Sequence, residues 1–257
     1  MPLDNVLAVI AVEIVLGLVT LVLLWPVPRS ATKLLRRWGV GDPTEDEVAQ
    51  ALTYLRRRRV WYPWLLIGLP AALTGTGLLP AGQDTTWLLP SILLLGALLA
   101  ELFAQRRDPS PVRAAVPVRR ELTDIVPRWA LVLHATAAIA AFVLLGAALA
   151  GAGWARNWHP SWSERVLWLS LGAALVTVVT VWAVVGLALR RPPVAQLRID
   201  PLLRTRSARV PLGLGTATLC ALIGGDDGGL RGMLVVLAGL ALWSAIAGPQ
   251  RQQHVPA

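Results

Sequence analysis

The chain lacks most of what soluble chemistry needs. Of its 257 residues one is cysteine, Cys220, which excludes an intrachain disulfide and a cysteine metal site and leaves redox chemistry unsupported. Its three histidines, His134, His159 and His254, are scattered and offer no metal-ligand spacing. Charged residues make up only 15% of the chain against 55% hydrophobic, and the mean hydropathy of +0.59 is far from that of a soluble domain. No P-loop, dinucleotide-binding glycine motif, H-E-x-x-H or nucleophile elbow occurs. No enzymatic activity and no cofactor is therefore expected, and a solute pump would have to borrow its ATPase.

What the chain does have is apolar runs separated by arginine. A net charge of +9 would suggest nucleic acid in a soluble protein, but here the cations fall in the breaks between apolar runs, the pattern of membrane topology, so nucleic-acid binding is rejected. The runs predict an all-α, polytopic transmembrane helix bundle of about seven spans, at 6–25, 61–79, 87–104, 129–150, 167–189, 211–223 and 233–247. These make one transmembrane domain over 1–248, with cytoplasmic loops at 26–60, 105–128 and 190–210 and a disordered cytoplasmic tail at 249–257. The N-terminal MPLDN has no basic segment of the secretory kind, so the first run reads as an uncleaved helix. Counted on this scheme, 21 basic residues lie on the inner side and only Arg156, Arg165 and Arg231 on the outer. The positive-inside rule then sets the N-terminus outside, the C-terminus inside, and the location as a multi-pass protein of the cell membrane. Ten of the 12 tryptophans fall near the predicted boundaries, which agrees with the scheme.

The stretch Asp42 to Trp64, DPTEDEVAQALTYLRRRRVWYPW, orients the rest. Thr44 and Glu47 have the spacing of a capping box, and Glu45, Asp46 and Glu47 suit the positive end of a helix dipole. Val48, Leu52 and Leu55 follow at i, i+4 and i+7 as a narrow apolar stripe. Arg56, Arg57, Arg58 and Arg59 then precede the second span, in which Pro63 and Pro70 predict a bend. Two readings of the four arginines stand: a topology anchor, or a docking helix for anionic lipid headgroups or a protein partner. In the fourth span Ala137, Ala141 and Ala148 share a face, which predicts a helix in the middle of the bundle.

The last two runs hold 13 and 15 residues, about 20 and 23 Å of helix against a hydrocarbon core of about 30 Å. Both a thinned crossing and a re-entrant loop fit that length. Crossing is favoured, because a re-entrant tip would bury Asp226 and Asp227 with no cation nearer than Arg231. A weak internal repeat is also visible, since the hairpins after the third and fifth spans both leave with Arg-Arg, run through a proline-rich loop and return at Val-Pro. Convergence of topology signals explains it as well as duplication does. With EVAQALTYLRRRRVWYPW and VRRELTDIVPRWA in view, the chain resembles uncharacterised polytopic integral membrane proteins of GC-rich bacteria. The resemblance covers about a third of the chain and implies location and topology, with no activity.

Polar groups inside the predicted spans are few: Glu13 in mid-span, Glu101 one turn from an inner end and His134 a turn into the fourth span. Each has a structural reading. Glu101 can reach Arg106 or the headgroups, His134 can hydrogen-bond a neighbouring helix, and Glu13 can bridge helices. The functional reading is a proton- or cation-linked site made by all three. The sparse chemistry favours a non-enzymatic accessory, assembly or signalling-type membrane component whose basic cytoplasmic loops engage a partner or anionic lipid. The alternative is a small permease or permease subunit using Glu13, Glu101 and His134, with an intramembrane enzyme behind both.

Overall fold

A computed structural model of the chain describes residues 15, 18, 19, 21, 22, 25–78, 88–105, 121–160, 162–190, 199–224 and 230–248. Every element among them is helical. Val15, Leu18, Val19, Leu21 and Val22 are the described helical part of the first apolar run. The following helices are α1 (Pro28–Arg37), α2 (Glu45–Gly75), α3 (Leu89–Ala104), α4 (Leu122–Ile125), α5 (Arg128–Leu149), α6 (Gly153–Arg156), α7 (Glu164–Arg190), α8 (Asp200–Gly224) and α9 (Leu230–Ala247).

The start of α2 is built as its sequence predicts. The Thr44 hydroxyl accepts from the Glu47 amide at 3.3 Å, and the Thr44 amide donates to the Glu47 carboxylate at 2.9 Å, satisfying two amides the helix end leaves over. Val48, Leu52 and Leu55 pack against Ala31 and Leu35 of α1, Ala51, and Ile199 and Leu203 at the start of α8. The connection 26–60 holds, besides the helix expected from Thr44, the further helix α1. The basic segment and the apolar segment after it form one helix of 31 residues, about 46 Å long, that passes through Pro63 and Pro70. Each proline removes one ladder hydrogen bond, and the turns on either side carry the helix through.

The larger correction concerns 190–223. Instead of a loop to 210 and a 13-residue apolar run, α8 begins at Asp200 and continues through Pro211 to Gly224, 25 residues and about 37 Å. Arg204, Arg206 and Arg209 lower the local hydropathy and hide the helix from an apolar-run reading, but each cation is met. Arg204 pairs with Asp200 one turn back at 2.9 Å, Arg206 lies over the Trp38 ring, and Arg209 donates to the Ile125 carbonyl at 3.1 Å. The helix after it, α9, has 18 residues rather than 15.

Helix α8 also takes the central place that the alanine-rich fourth span was expected to hold. It packs against α9, α7, α3 and α5, and nearly all of it from Ser207 to Gly224 is buried. In α5, Ala141 and Ala148 are buried as the alanine face predicts, yet Val132, Ile139 and Val143 on its other side are exposed. The reason lies in glycine. A Cβ on Gly215 would collide with the Val181 side chain, one on Gly213 would lie 2.8 Å from Trp243 Cδ1, and one on Gly224 would lie 2.8 Å from the Gly232 carbonyl oxygen. From the other side, a Cβ on Gly239 would meet Cys220 Cβ at 2.7 Å. The α9 backbone presses on one face of α8 and side chains of α7 and α5 on another, which makes α8 the hub.

The bundle has two distinct ends. At one, Arg165 donates to the Gly77 carbonyl at 2.6 Å, Trp158 Nε1 donates to the Ile223 carbonyl at 2.8 Å, and Arg231 covers the Trp158 ring at 4.1 Å. This brings the end of α2, Trp158 after α6, the start of α7, the end of α8 and the start of α9 together. The other end holds α1, the arginines of α2, the end of α3, α4 and the start of α8. Between them α5, α7, α8 and α9 are each long and apolar enough to cross a membrane, and α3 is a shorter apolar helix.

Candidate functional site

Four consecutive arginines on a helix point four ways, about 100° apart. In α2 this splits the cluster: Arg56 and Arg57 are exposed, Arg59 is half-buried, and Arg58 is buried at 5% exposure. Arg58 shares its inward face with Tyr54 and Tyr62, one turn to either side. Its Nη2 lies 2.7 Å from Glu101 Oε2 of α3, a contact that is an ion pair rather than a well-aligned hydrogen bond. The Tyr62 hydroxyl donates to Glu101 Oε1 at 2.6 Å, so both carboxylate oxygens are engaged. The guanidinium also stacks over Tyr54, 4.2 Å from the ring centroid, a cation–π contact strengthened by burial.

Ser207 of α8 completes the set. Its hydroxyl donates to the Leu203 carbonyl at 2.8 Å and lies 3.4 Å from both Arg58 Nη2 and the Tyr54 hydroxyl. Burial raises the Tyr54 hydroxyl above the usual phenol range, so it stays neutral. One cation, one anion, two phenols and a serine thus tie α2, α3 and α8 together. Removing either charge alone would leave the other buried and uncompensated.

His134 of α5 is 1% exposed, with Nδ1 3.2 Å from Thr216 Oγ1 of α8. Thr216 gives its own proton to the Leu212 carbonyl at 2.8 Å. Its oxygen can then only accept from His134, which assigns the imidazole proton to Nδ1. Nε2 has no hydrogen-bond partner among the described residues. His134 fits against α8 because Gly215 has no side chain: a Cβ there would lie 3.2 Å from His134 Cε1.

Of the polar groups singled out in the sequence, Glu101 and His134 therefore engage different partners, Arg58 and Thr216. Glu13 lies outside the described residues, as do Arg106, Asp226 and Asp227. Of the four arginines proposed for docking, Arg58 is turned inward and spent on Glu101, while Arg56 lies 5.8 Å from the Trp25 ring. Sequence reasoning missed Tyr54, Tyr62, Ser207 and Asp200. Tyr54 and Tyr62 at i−4 and i+4 of Arg58, and Asp200 at i−4 of Arg204, were visible as helical spacings. No group of three metal-ligating side chains occurs among the described residues.

These features define an all-helical bundle with four membrane-length apolar helices and, toward one end, a buried polar tie that joins α2, α3 and α8. No protein family, curated protein or solved structure matches the chain.

Proposed function

We propose that the protein is a multi-pass component of the cell membrane, non-enzymatic, of the accessory, assembly or signalling type, whose basic cytoplasmic end engages a protein partner or anionic lipid. Seven crossings with the N-terminus outside and the C-terminus inside remain the topology of this reading. The two-ended geometry supports it, because the contacts that gather Gly77, Trp158 and Ile223 at one end leave α1 and the arginines of α2 at the other. A continuous α8 of 25 residues favours crossing over re-entry for the C-terminal pair.

The observation that carries the functional reading is the division of the cations. Those inside the bundle, Arg58, Arg204 and Arg209, are committed to intramolecular partners, whereas Arg29, Lys33 and Arg36 are exposed at the same end. A permease built on Glu101 and His134 would bring the two to one site, whereas they engage separate partners, Arg58 and Thr216. Gentle extraction from native membranes followed by co-purification tests the proposal. A reproducible partner released by salt is expected. Solute flux through vesicles containing only the purified chain, abolished by Glu13→Gln, would overturn it in favour of the permease.

A further inference from the structure

Helix α1 is a ten-residue amphipathic element with an unusual division of faces. Ala31 and Leu35, 0% and 1% exposed, seal it against the apolar stripe of α2. On the opposite side Arg29, Lys33 and Arg36 stand at i, i+4 and i+7, all exposed, with no acidic residue anywhere on the helix. They make no ion pair among the described residues. With Pro28 and Thr32 they line a shallow, open groove along the helix, and the Thr32 hydroxyl bonds back to the Pro28 carbonyl at 3.2 Å.

The position of this face says what it meets. Trp25, 40% exposed, stands three residues before α1 at the end of the first apolar run, and the Arg56 guanidinium lies over its ring. Exposed tryptophan beside arginine is the mixture found where hydrocarbon gives way to headgroups. Arg29 follows four residues later, at headgroup depth. The groove carries three cations and no large apolar or aromatic side chain, so it lacks the buried anchor a protein interface is built on, while its charge complements phosphate.

We propose that the outward face of α1 docks the phosphate headgroups of anionic lipids in the surrounding bilayer, through Arg29, Lys33 and Arg36. This rests on the reading of the chain as membrane-embedded with α1 at the cytoplasmic end. It moves the lipid contact from the α2 arginines, one of which is buried, to a helix whose cations are all outward.

The test uses the full chain in detergent with equal amounts of phosphatidylglycerol and phosphatidylcholine, bound lipid being read by native mass spectrometry. Phosphatidylglycerol adducts should dominate severalfold. The variant Arg29→Gln/Lys33→Gln/Arg36→Gln should lose the preference, and Lys33→Gln alone should weaken it by about fivefold, the effect of one cation at an anionic surface. Arg165→Gln, at the opposite end, should keep it, and millimolar inorganic phosphate should not displace the lipid. A preference that survives the triple variant, or that Arg165→Gln removes equally, overturns the proposal; displacement by inorganic phosphate overturns it as well, by assigning the groove to free phosphate. Failure to recover a protein partner from native membranes bears on the partner reading alone and leaves this result standing.

Discussion

Arg58 and Glu101 occupy the same dry space, and the energetics of a buried pair make them unequal to their exposed neighbours. Two charges out of water are tolerable only together, so deleting one should destabilise far more than replacing both. Glu101→Ala is expected to cost roughly 3–5 kcal/mol, while Arg58→Met/Glu101→Leu should recover most of that loss. Thermal unfolding in detergent distinguishes them: equal stability of wild type and Glu101→Ala would mean that Arg58 is not held inside. Arg37→Gln in the last turn of α1, by contrast, removes an exposed charge and should stay within about 0.5 kcal/mol of wild type. Helical phase puts Arg58 on one face with Tyr54 and Tyr62, and that much was legible in their spacing. The partner of Arg58 was not, because Glu101 comes from another helix and only packing decides which carboxylate meets which arginine.

At the level of elements, glycine separates the helices that must touch from those that merely lie near. Gly239 of α9 sits against Ala217 and Cys220 of α8, and the Cβ of an alanine there would reach 2.7 Å from Cys220 Cβ and 3.3 Å from the Ala217 carbonyl oxygen. Gly239→Ala should therefore destabilise by about 1–3 kcal/mol through overpacking. Gly68 of α2 has nothing within 4 Å of the same added carbon. Gly68→Ala should instead stabilise by about 0.5–1 kcal/mol, since a mid-helix glycine gives up backbone entropy that alanine does not. Melting temperatures that move in the same direction for both variants would contradict the packing of α8 on α9. Helix α8 also shows why apolar runs misjudge a buried helix. Its three arginines contact Asp200, the Trp38 ring and the Ile125 carbonyl, and hydropathy along one segment cannot register such contacts.

For the whole molecule, the prediction is that its two ends face two compartments. In a Cys220→Ala background, a thiol at Asn157 should react with a membrane-impermeant maleimide in intact cells, and one at Gly41 should react only after permeabilisation; both positions are exposed. The reverse labelling would invert the orientation. Equal labelling of both positions in intact cells would remove the membrane-spanning arrangement altogether. Ser207 is unsuited to this purpose despite its place in a basic stretch, because it is buried against α2.

The sequence by itself determined that the chain is helical and apolar, where α2 begins, and that its cations gather between apolar runs. These are local or one-dimensional properties: a capping box needs three residues, amphipathic phase needs two turns, and hydropathy is a sum along the chain. Only the tertiary structure decided that α8 is the hub, that Arg58 faces inward to Glu101, that His134 meets Thr216, and that α1 keeps its cations outward. Each of those depends on which surfaces approach closely enough to exclude water, and that is settled by side-chain volume across helices far apart in sequence. A glycine in α8 opposite a valine in α7 places a helix at the centre, where alanine count along α5 had pointed elsewhere.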